Sequence, residues 1–354
     1  MTTPVVFIIY NRPDKTLRSF EAIRSVQPAI LYIIGDGPKN EQDAQLVSQT
    51  RQIVEKIDWT CQVHRIYAQE NLSCGHRISS GLDSVFSECD KAIIIEDDII
   101  TSPAFFDFCS YMLEIYENDS RMMAVTGWNG LVTYQSELYN AFFSKYSSIW
   151  GWATWRRAWR AYQFEPDWPL DQFDERLQAY FRDSFRPKLQ RHNYINRIWQ
   201  RYQTWDIQWA LTIYMHDGLV ITPTVNLCQN IGFDAQGTHL TSFNLRGLFP
   251  IFSPHPNFVS GTVKEEYGPE NDWYDYSILL LNIFSLYQDI RKLLLVYKNP
   301  QLLPRNRDNT GWECTLQPLN EPERCLQILT HLEAYIAHPD LDKCKSVFQR
   351  LIQN

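Results

Sequence analysis

Short apolar runs alternate with polar, helix-forming stretches along the first third of the chain. Residues 5–10 (VVFIIY) form a continuous run of β-branched and aromatic residues, which is typical of a strand buried on both faces. The predicted strands are residues 5–10, 30–34, 62–67, 92–95 and 122–126. The predicted helices are residues 13–26, 41–57, 78–86 and 103–116. This alternation implies an α/β fold with a parallel sheet and helices on both faces.

Polar residues follow three of these strands. Asn11 and Arg12 follow the first strand, Asp36 follows the second, and Glu96-Asp97-Asp98 follow the fourth. In parallel sheets, ligands bind beyond the carboxyl ends of the strands. Because those ends share one edge of the sheet, we predict a binding site there.

The acidic triplet is the strongest chemical signal. Three consecutive carboxylates at the end of a buried strand raise one another's pKa, and they are costly to bury without a cation. Mg²⁺ and Mn²⁺ take oxygen ligands and keep positions open for water and phosphate oxygens. The alternative is a solvated acidic turn before a helix. The polar residues at the neighbouring strand ends favour the metal, so we predict Mn²⁺ or Mg²⁺ as a cofactor.

Composition and charge limit the class of protein. The chain has 354 residues, of which 44% are hydrophobic and 21% charged, as expected of a globular protein. The net charge of −8 gives no electrostatic support for a nucleic-acid partner. Aromatic residues make up 14% of the chain, and they suit sugar rings and nucleobases as well as cores.

Cysteine spacing and the first residues bear on the compartment. No CxxC pair is present, and the scattered cysteines are interpreted as reduced packing residues: Cys61, Cys74, Cys89, Cys109, Cys228, Cys314, Cys325 and Cys344. The apolar run at residues 5–10 is too short for a signal peptide or a membrane anchor. We therefore expect a cytoplasmic protein.

An ordered series of motifs covers residues 5–240. They are FIIYNRP, IIGDGPK, ENLSCGHRISSGLDSVF, IIIEDDIITSPAFFDF, SIWGWATWRRAW, TWDIQW and PTVNLCQNIGFDAQGTH. The series resembles the N-acetylglucosaminyltransferase I family of inverting GT-A enzymes. It resembles even more closely the bacterial family-2-like glycosyltransferases, or nucleotide-diphospho-sugar transferases. The resemblance implies a GT-A fold, which is a Rossmann-like, mixed and mostly parallel sheet. It also implies metal-dependent transfer of a sugar from a nucleotide sugar, with UDP as the nucleotide, to a glycan or glycolipid acceptor.

The resemblance also implies roles for individual residues. Asp98 is the expected metal ligand, and Glu96 and Asp97 are expected to approach the ribose and the donor sugar. The other residues assigned to the nucleotide sugar are Asn11, Arg12, Asp36, Arg77 and Trp152, and His239, in a Gly-punctuated loop, is a candidate contact of a phosphate or the metal. The alternatives are surface ion pairs for Arg12 and Arg77, a turn-forming role for Asp36, core packing for the tryptophans around 152 and a loop position without a ligand for His239.

Asp206 is the predicted catalytic base. The segment TWDIQW resembles the part of the inverting family that deprotonates the acceptor hydroxyl, a step that needs one carboxylate opposite the leaving group. The alternative for Asp206 is a helix cap. Trp205 and Trp209, which flank it, are expected in the core.

We place a boundary near residue 255. Residues 1–255 are the predicted catalytic domain, with a nucleotide-binding half at about 1–130 and an acceptor half at about 131–255. Residues 256–354 are predicted to be mainly helical, with helices at 275–297 and 323–335. Polar residues interrupt the first of these helices, so it cannot span a bilayer. We expect it to pack against the catalytic domain, with peripheral docking at the inner face of a membrane as the alternative.

Two other functions remain open at this stage. A nucleotidyltransferase that forms nucleotide sugars would need a glycine-rich phosphate loop after the first strand, where this chain has Tyr10-Asn11-Arg12-Pro13. A catalytically silent carbohydrate-binding module would suit the aromatic content and would need neither metal nor nucleotide.

Overall fold

The structure is a computed structural model of the chain. The residues it describes are 1–135, 137–181, 204–232, 250–252, 260–286 and 322–334, with isolated positions at 186–195, 258 and 345–352.

Eleven strands are found in the described residues. They are β1 (Val5–Ile9), β2 (Ile30–Gly35), β3 (Gln62–Tyr67), β4 (Lys91–Glu96), β5 (Ile99–Thr101), β6 (Met122–Thr126), β7 (Ala141–Ser144), β8 (Trp152–Trp155), β9 (Leu219–Pro223), β10 (Cys228–Asn230) and β11 (Val263–Lys264). Nine of them form one sheet in the order β11-β7-β9-β6-β8-β4-β1-β2-β3, and β5 pairs with β10 in a separate two-stranded sheet.

The large sheet is mixed and mostly parallel, as expected. β1 pairs in parallel with β2 and β4, and β2 pairs in parallel with β3. β8 is antiparallel to both β4 and β6, so β6 runs in the same direction as β4. β9 is parallel to β6. The carboxyl ends of β1, β2, β4, β6 and β9 therefore lie at one edge of the sheet.

Helices cover both faces of the sheet, as predicted. They are α1 (Pro13–Val26), α2 (Glu41–Val54), α3 (Ser73–Glu88), α4 (Pro103–Ile115), α5 (Arg156–Trp159), α6 (Leu170–Tyr180), α7 (Asp206–Met215), α8 (Pro269–Leu286) and α9 (Pro322–Glu333). Alternate residues of β1 enter two different cores, with Val5 and Phe7 in one and Val6 and Ile8 in the other. Burial on both faces explains why this strand is a continuous apolar run.

Several sequence-based bounds need correction. α2 ends at Val54, before the predicted residue 57, and α3 extends from Ser73 to Glu88 beyond the predicted 78–86. The loop before α3 is held to β2 by long-range hydrogen bonds described below, which local periodicity does not reveal. Ser102 occupies the N-cap position of α4, but its side chain makes no capping hydrogen bond. The later strands β7, β8 and β9 lie where no regular alternation was recognised.

The helix predicted at 275–297 begins earlier, at Pro269, and packs on the sheet. Tyr274 and Ile278 are buried in the same core as β7. Asp275 is also buried, and it accepts hydrogen bonds from the Ser144 hydroxyl, from the Lys145 backbone N–H (2.8 Å) and from the Tyr267 hydroxyl (2.7 Å). The expected packing is confirmed at Tyr274 and Ile278, while the side chains of residues 279–286 and all of residues 287–297 lie outside the described part.

The boundary near residue 255 stays a prediction. β11, which follows it in the chain, pairs in parallel with β7 at the end of the large sheet. Among the described residues, no helix combines the length and the apolar character needed to cross a bilayer.

We expect the buried carboxyl of Asp275 to make stability depend on pH. Burial raises its pKa from 3.8 to about 6, although its hydrogen bonds and the charge of Arg186 act to lower it. Between these two values the folded state binds more protons than the unfolded state, so the stabilisation present at low pH is lost as the pH rises through 6. Asp275→Asn removes this titration. From pH 5 to pH 7 its free energy of unfolding should therefore rise relative to wild type by about 1 kcal/mol.

Urea unfolding at several pH values measures this difference. Asp107→Asn, at an exposed position of α4, is the matched control and should show no such trend. A difference between Asp275→Asn and wild type that stays constant from pH 5 to pH 7 would contradict the assignment.

Candidate active site

Arg12 links the end of β1 to the acidic triplet at the end of β4. Its Nη2 lies 2.7 Å from Oδ1 of Asp97, and its Nη1 lies 2.8 Å from Oδ2 of Asp98. Burial opposes the guanidinium charge, but Asp97, Asp98 and Glu96 outweigh burial and raise the pKa of Arg12. The planar guanidinium thus holds two neighbouring carboxylates with separate N–H groups. The ion pair that was the alternative for Arg12 is present, although only 20% of the side chain is exposed, and a contact with the nucleotide stays a prediction.

Asp97 is turned into the protein. Its side chain is 2% exposed, and its Oδ2 accepts a hydrogen bond from the Tyr10 backbone N–H at 3.2 Å. Burial raises the pKa of Asp97 to about 6, with a further increase from Asp98, although Arg12 lowers it. Because both carboxylate oxygens have protein partners, Asp97 positions Arg12 in this structure. Its approach to a ribose or donor sugar stays a prediction.

Asp98 is more exposed than Asp97, at 13% of its side chain. The pairing of β5 with β10 brings Gly232 against it, and the Ile231 backbone N–H donates to the Asp98 carbonyl at 2.8 Å. A Cβ at residue 232 would lie 2.3 Å from Oδ2 of Asp98. A larger residue at this position would have to displace the Asp98 carboxylate. Residues 233–240, including His239, lie outside the described part of the chain.

Asp206 comes to the same edge from a distant part of the sequence. It is the first residue of α7, which leads into β9, so the start of α7 lies at the edge where β9 ends. Its Oδ1 accepts a hydrogen bond from the Thr204 hydroxyl. Burial raises the pKa of Glu96 well above its usual range. The negative charges of Asp98, Asp97 and Asp206 raise it further, while Arg12 lowers it. Glu96 and Asp206 are thus close enough to repel each other.

The tryptophans beside this edge are core residues. Trp152 is 1% exposed, and its ring centroid lies 5.7 Å from that of Trp205 and 5.6 Å from that of Trp209. The assignment of Trp152 to the nucleotide sugar is therefore corrected, because no face of its ring is left for a sugar. The core positions expected for Trp205 and Trp209 are confirmed.

Asp36 closes the turn after β2. Its Oδ1 accepts from the backbone N–H groups of Gly37 and Leu72, each at 2.9 Å, and its Oδ2 accepts from the Asn71 amide at 3.0 Å. These bonds tie the turn to the loop that precedes α3. The structure thus shows the turn-forming role that was the alternative for Asp36, and its contact with a nucleobase stays a prediction.

Asn11 binds a residue that the sequence reading missed. Its side-chain amide donates to Oδ1 of Asp43 at 2.5 Å, and the Tyr10 hydroxyl donates to the other oxygen. The Asp43 backbone N–H in turn donates to the side chain of Asn40, the N-cap of α2, at 2.9 Å. An asparagine three residues before an aspartate at the start of a helix was the available signal. Asp43 fixes the segment after β1 against α2.

Arg77 is buried in α3 without a carboxylate partner among the described residues. Its Nε makes no hydrogen bond there, and burial lowers its pKa although Asp36 raises it. The surface ion pair considered for Arg77 is therefore not what the structure shows. A buried cation of this kind is suited to a phosphate group, and its place near the diphosphate stays a prediction.

The described cysteines are free thiols. Cys109 and Cys228 are buried, and Cys61 and Cys89 are half-buried, as packing residues would be. Cys74 is exposed in the first turn of α3, which corrects its interpretation as a packing residue. The side chains of Cys314, Cys325 and Cys344 lie outside the described part.

Part of the chain matches a known family. Residues 60–197, which include the acidic triplet, match the model of the GNT-I family. The resemblance to the N-acetylglucosaminyltransferase I family is confirmed over these residues. The alpha-1,3-mannosyl-glycoprotein 2-beta-N-acetylglucosaminyltransferase of Arabidopsis thaliana is 29% identical over 101 residues. That match covers 27% of this chain and 22% of the relative, so the similarity spans less than a quarter of the relative's length.

Three solved structures are similar at low sequence identity. The galactosyltransferase LgtC, in complex with donor and acceptor sugar analogues, is 9% identical with a TM-score of 0.31, over 60% of this chain and 70% of that chain. S. aureus TarS 1–349 is 11% identical with a TM-score of 0.39, over 100% and 92%. UDP-glucose pyrophosphorylase, complexed with UDP-glucose, is 9% identical with a TM-score of 0.30, over 63% and 90%.

We expect Gly37 to be required at the turn after β2. A Cβ at this position would lie 2.4 Å from the backbone carbon of Glu70 and 2.5 Å from its oxygen. Gly37→Ala should force the turn and the loop before α3 apart, and lower the free energy of unfolding by about 1–3 kcal/mol. Gly268→Ala is the matched control, because the nearest described atom would lie 3.9 Å away. Urea denaturation of both variants measures the effect, and equal stabilities would contradict the prediction.

Proposed function

We propose that the chain is a metal-dependent, inverting glycosyltransferase. It would transfer a sugar from a nucleotide-diphospho-sugar, with UDP as the nucleotide, to a hydroxyl group of a glycan or glycolipid. The observation that carries this proposal is the convergence of Arg12, the acidic triplet and Asp206 at one edge of the sheet. Arg12 and Asp98 are 86 residues apart in sequence yet hydrogen-bonded, and the match of residues 60–197 to the GNT-I family supports the same reading.

The side chains at this edge suit a divalent cation. Glu96, Asp98 and Asp206 supply only oxygen donors, which are the ligands that Mg²⁺ and Mn²⁺ prefer. Burial, together with repulsion from Asp98, Asp97 and Asp206, raises the pKa of Glu96 despite Arg12, so a cation would be stabilised there. Within the described ranges, no three His, Cys, Asp or Glu side chains are placed to hold a metal ion by themselves. Asp98 would therefore share the ion with phosphate oxygens and water.

Each residue would have a distinct task in the transfer. A bound metal ion would supply positive charge that stabilises the leaving nucleoside diphosphate. Arg12 and Arg77 would add positive charge for the phosphate oxygens. Asp206 would accept the proton of the acceptor hydroxyl as the hydroxyl oxygen attacks the anomeric carbon.

Calorimetric titration tests the donor site first. UDP, GDP, CDP and dTDP are titrated into wild type and Asp98→Ala, with and without Mn²⁺. We expect one nucleotide, UDP, to bind in a Mn²⁺-dependent manner, and we expect this dependence to be lost in Asp98→Ala because the metal ligand is gone. Asp107→Ala, on the helix that follows the site, should bind like wild type. If folded wild type binds none of the four nucleotides, the transferase proposal is wrong.

Asp206→Asn tests the catalytic base. Transfer is measured as release of the nucleoside diphosphate from the matching sugar nucleotide in the presence of a panel of glycan acceptors. The variant should lose about 10²- to 10⁴-fold in rate, because general-base assistance is removed, while nucleotide affinity stays within a few-fold of wild type. Asp171→Asn, at an exposed position of α6, should retain the wild-type rate. Near-normal turnover of Asp206→Asn would remove Asp206 from the mechanism.

A further inference from the structure

The guanidinium of Arg12 forms an ion pair with Asp98, the carboxylate that is the expected metal ligand. Its Nη1 lies 2.8 Å from Oδ2 of Asp98, while its Nη2 is held by Asp97 at 2.7 Å. A divalent cation and the guanidinium would both be stabilised by the same Asp98 charge. The ion pair therefore competes with metal binding when no other anion is near Arg12.

Arg12 is placed so that it can exchange partners. It is the residue before α1, and a fifth of its side chain is exposed. Asp97 would keep its hydrogen bond from the Tyr10 N–H. Asp97 would thus not be left without a partner if Arg12 moved. A diphosphate offers Arg12 two anionic oxygens in a similar geometry.

We propose that Arg12 holds Asp98 when no nucleotide is bound, so that the divalent cation and the nucleoside diphosphate bind as a coupled pair. This inference rests on the proposed function, because it concerns the same donor site. Transfer of Arg12 from Asp98 to the diphosphate frees the carboxylate for the cation. By linkage, the factor by which the nucleotide tightens cation binding equals the factor by which the cation tightens nucleotide binding.

Binding of Mn²⁺ without nucleotide gives the direct test. Free Mn²⁺ is measured by electron paramagnetic resonance during titration of wild type, Arg12→Gln and Arg12→Lys. Arg12→Gln should bind Mn²⁺ roughly tenfold more tightly than wild type, because no ion pair with Arg12 has to break before Asp98 can bind the cation. Arg12→Lys should show a smaller increase, because a lysine keeps the charge but cannot bridge both carboxylates.

Two controls assign the effect to this ion pair. Arg18→Gln removes the same charge from an exposed position of α1, and its affinity for Mn²⁺ should equal that of wild type. Asp98→Ala in the Arg12→Gln background should abolish the gain, since the gained affinity belongs to Asp98. Thermal unfolding of each variant establishes that it is folded, and Arg12→Lys decides the matter if Arg12→Gln is not.

The outcomes separate this inference from the proposed function. If wild type binds Mn²⁺ in the presence of UDP but no Arg12 variant gains affinity in its absence, the competition by Arg12 is wrong and the donor site stands. If wild type binds no Mn²⁺ even with saturating UDP, the proposed function fails, and this inference fails with it.

Discussion

The structure depends on how three consecutive carboxylates are held at the end of a buried strand. Such a cluster repels itself, and burial strengthens the repulsion because the surroundings screen it poorly. Arg12 reduces this repulsion. It follows β1, the strand next to β4, and donates separate N–H groups to Asp97 and Asp98. The Tyr10 backbone and the Ser19 hydroxyl add bonds to Asp97 at its side chain and carbonyl. The segment between β1 and α1 is therefore held in place by its bonds to the carboxylates at the end of β4.

Local sequence pattern was sufficient for the elements whose residues are governed by their neighbours in the chain. α1 was predicted with its observed bounds, because Pro13 and the apolar period mark them, and β3 was predicted equally well. The edge of the sheet where polar residues gather also followed from strand direction alone. Asp206 was identified as a candidate through the resemblance of the segment TWDIQW to the inverting family.

Tertiary contacts account for what the sequence could not reveal. Asp97 and Asp98 are adjacent and chemically identical, and only tertiary contacts distinguish the buried Asp97 from the more exposed Asp98. Trp152 looked like a sugar platform, but its strand lies between β4 and β6 and its ring is enclosed by other tryptophans. Asp43 was overlooked because its partners Tyr10 and Asn11 belong to another element. Each of these outcomes is decided by residues more than thirty positions away.

The position of β8 has a consequence for how this molecule responds to ligands. The strand follows β7 in the chain but is hydrogen-bonded on one side to β4 and on the other to β6. The strand that ends in the acidic triplet and the strands nearest Asp206 are thus joined by one continuous hydrogen-bonded ladder. A hinge between the two sides would have to break that ladder. Any adjustment to a substrate therefore falls to the loops and side chains at the rim, while the spacing of the underlying strands stays constant.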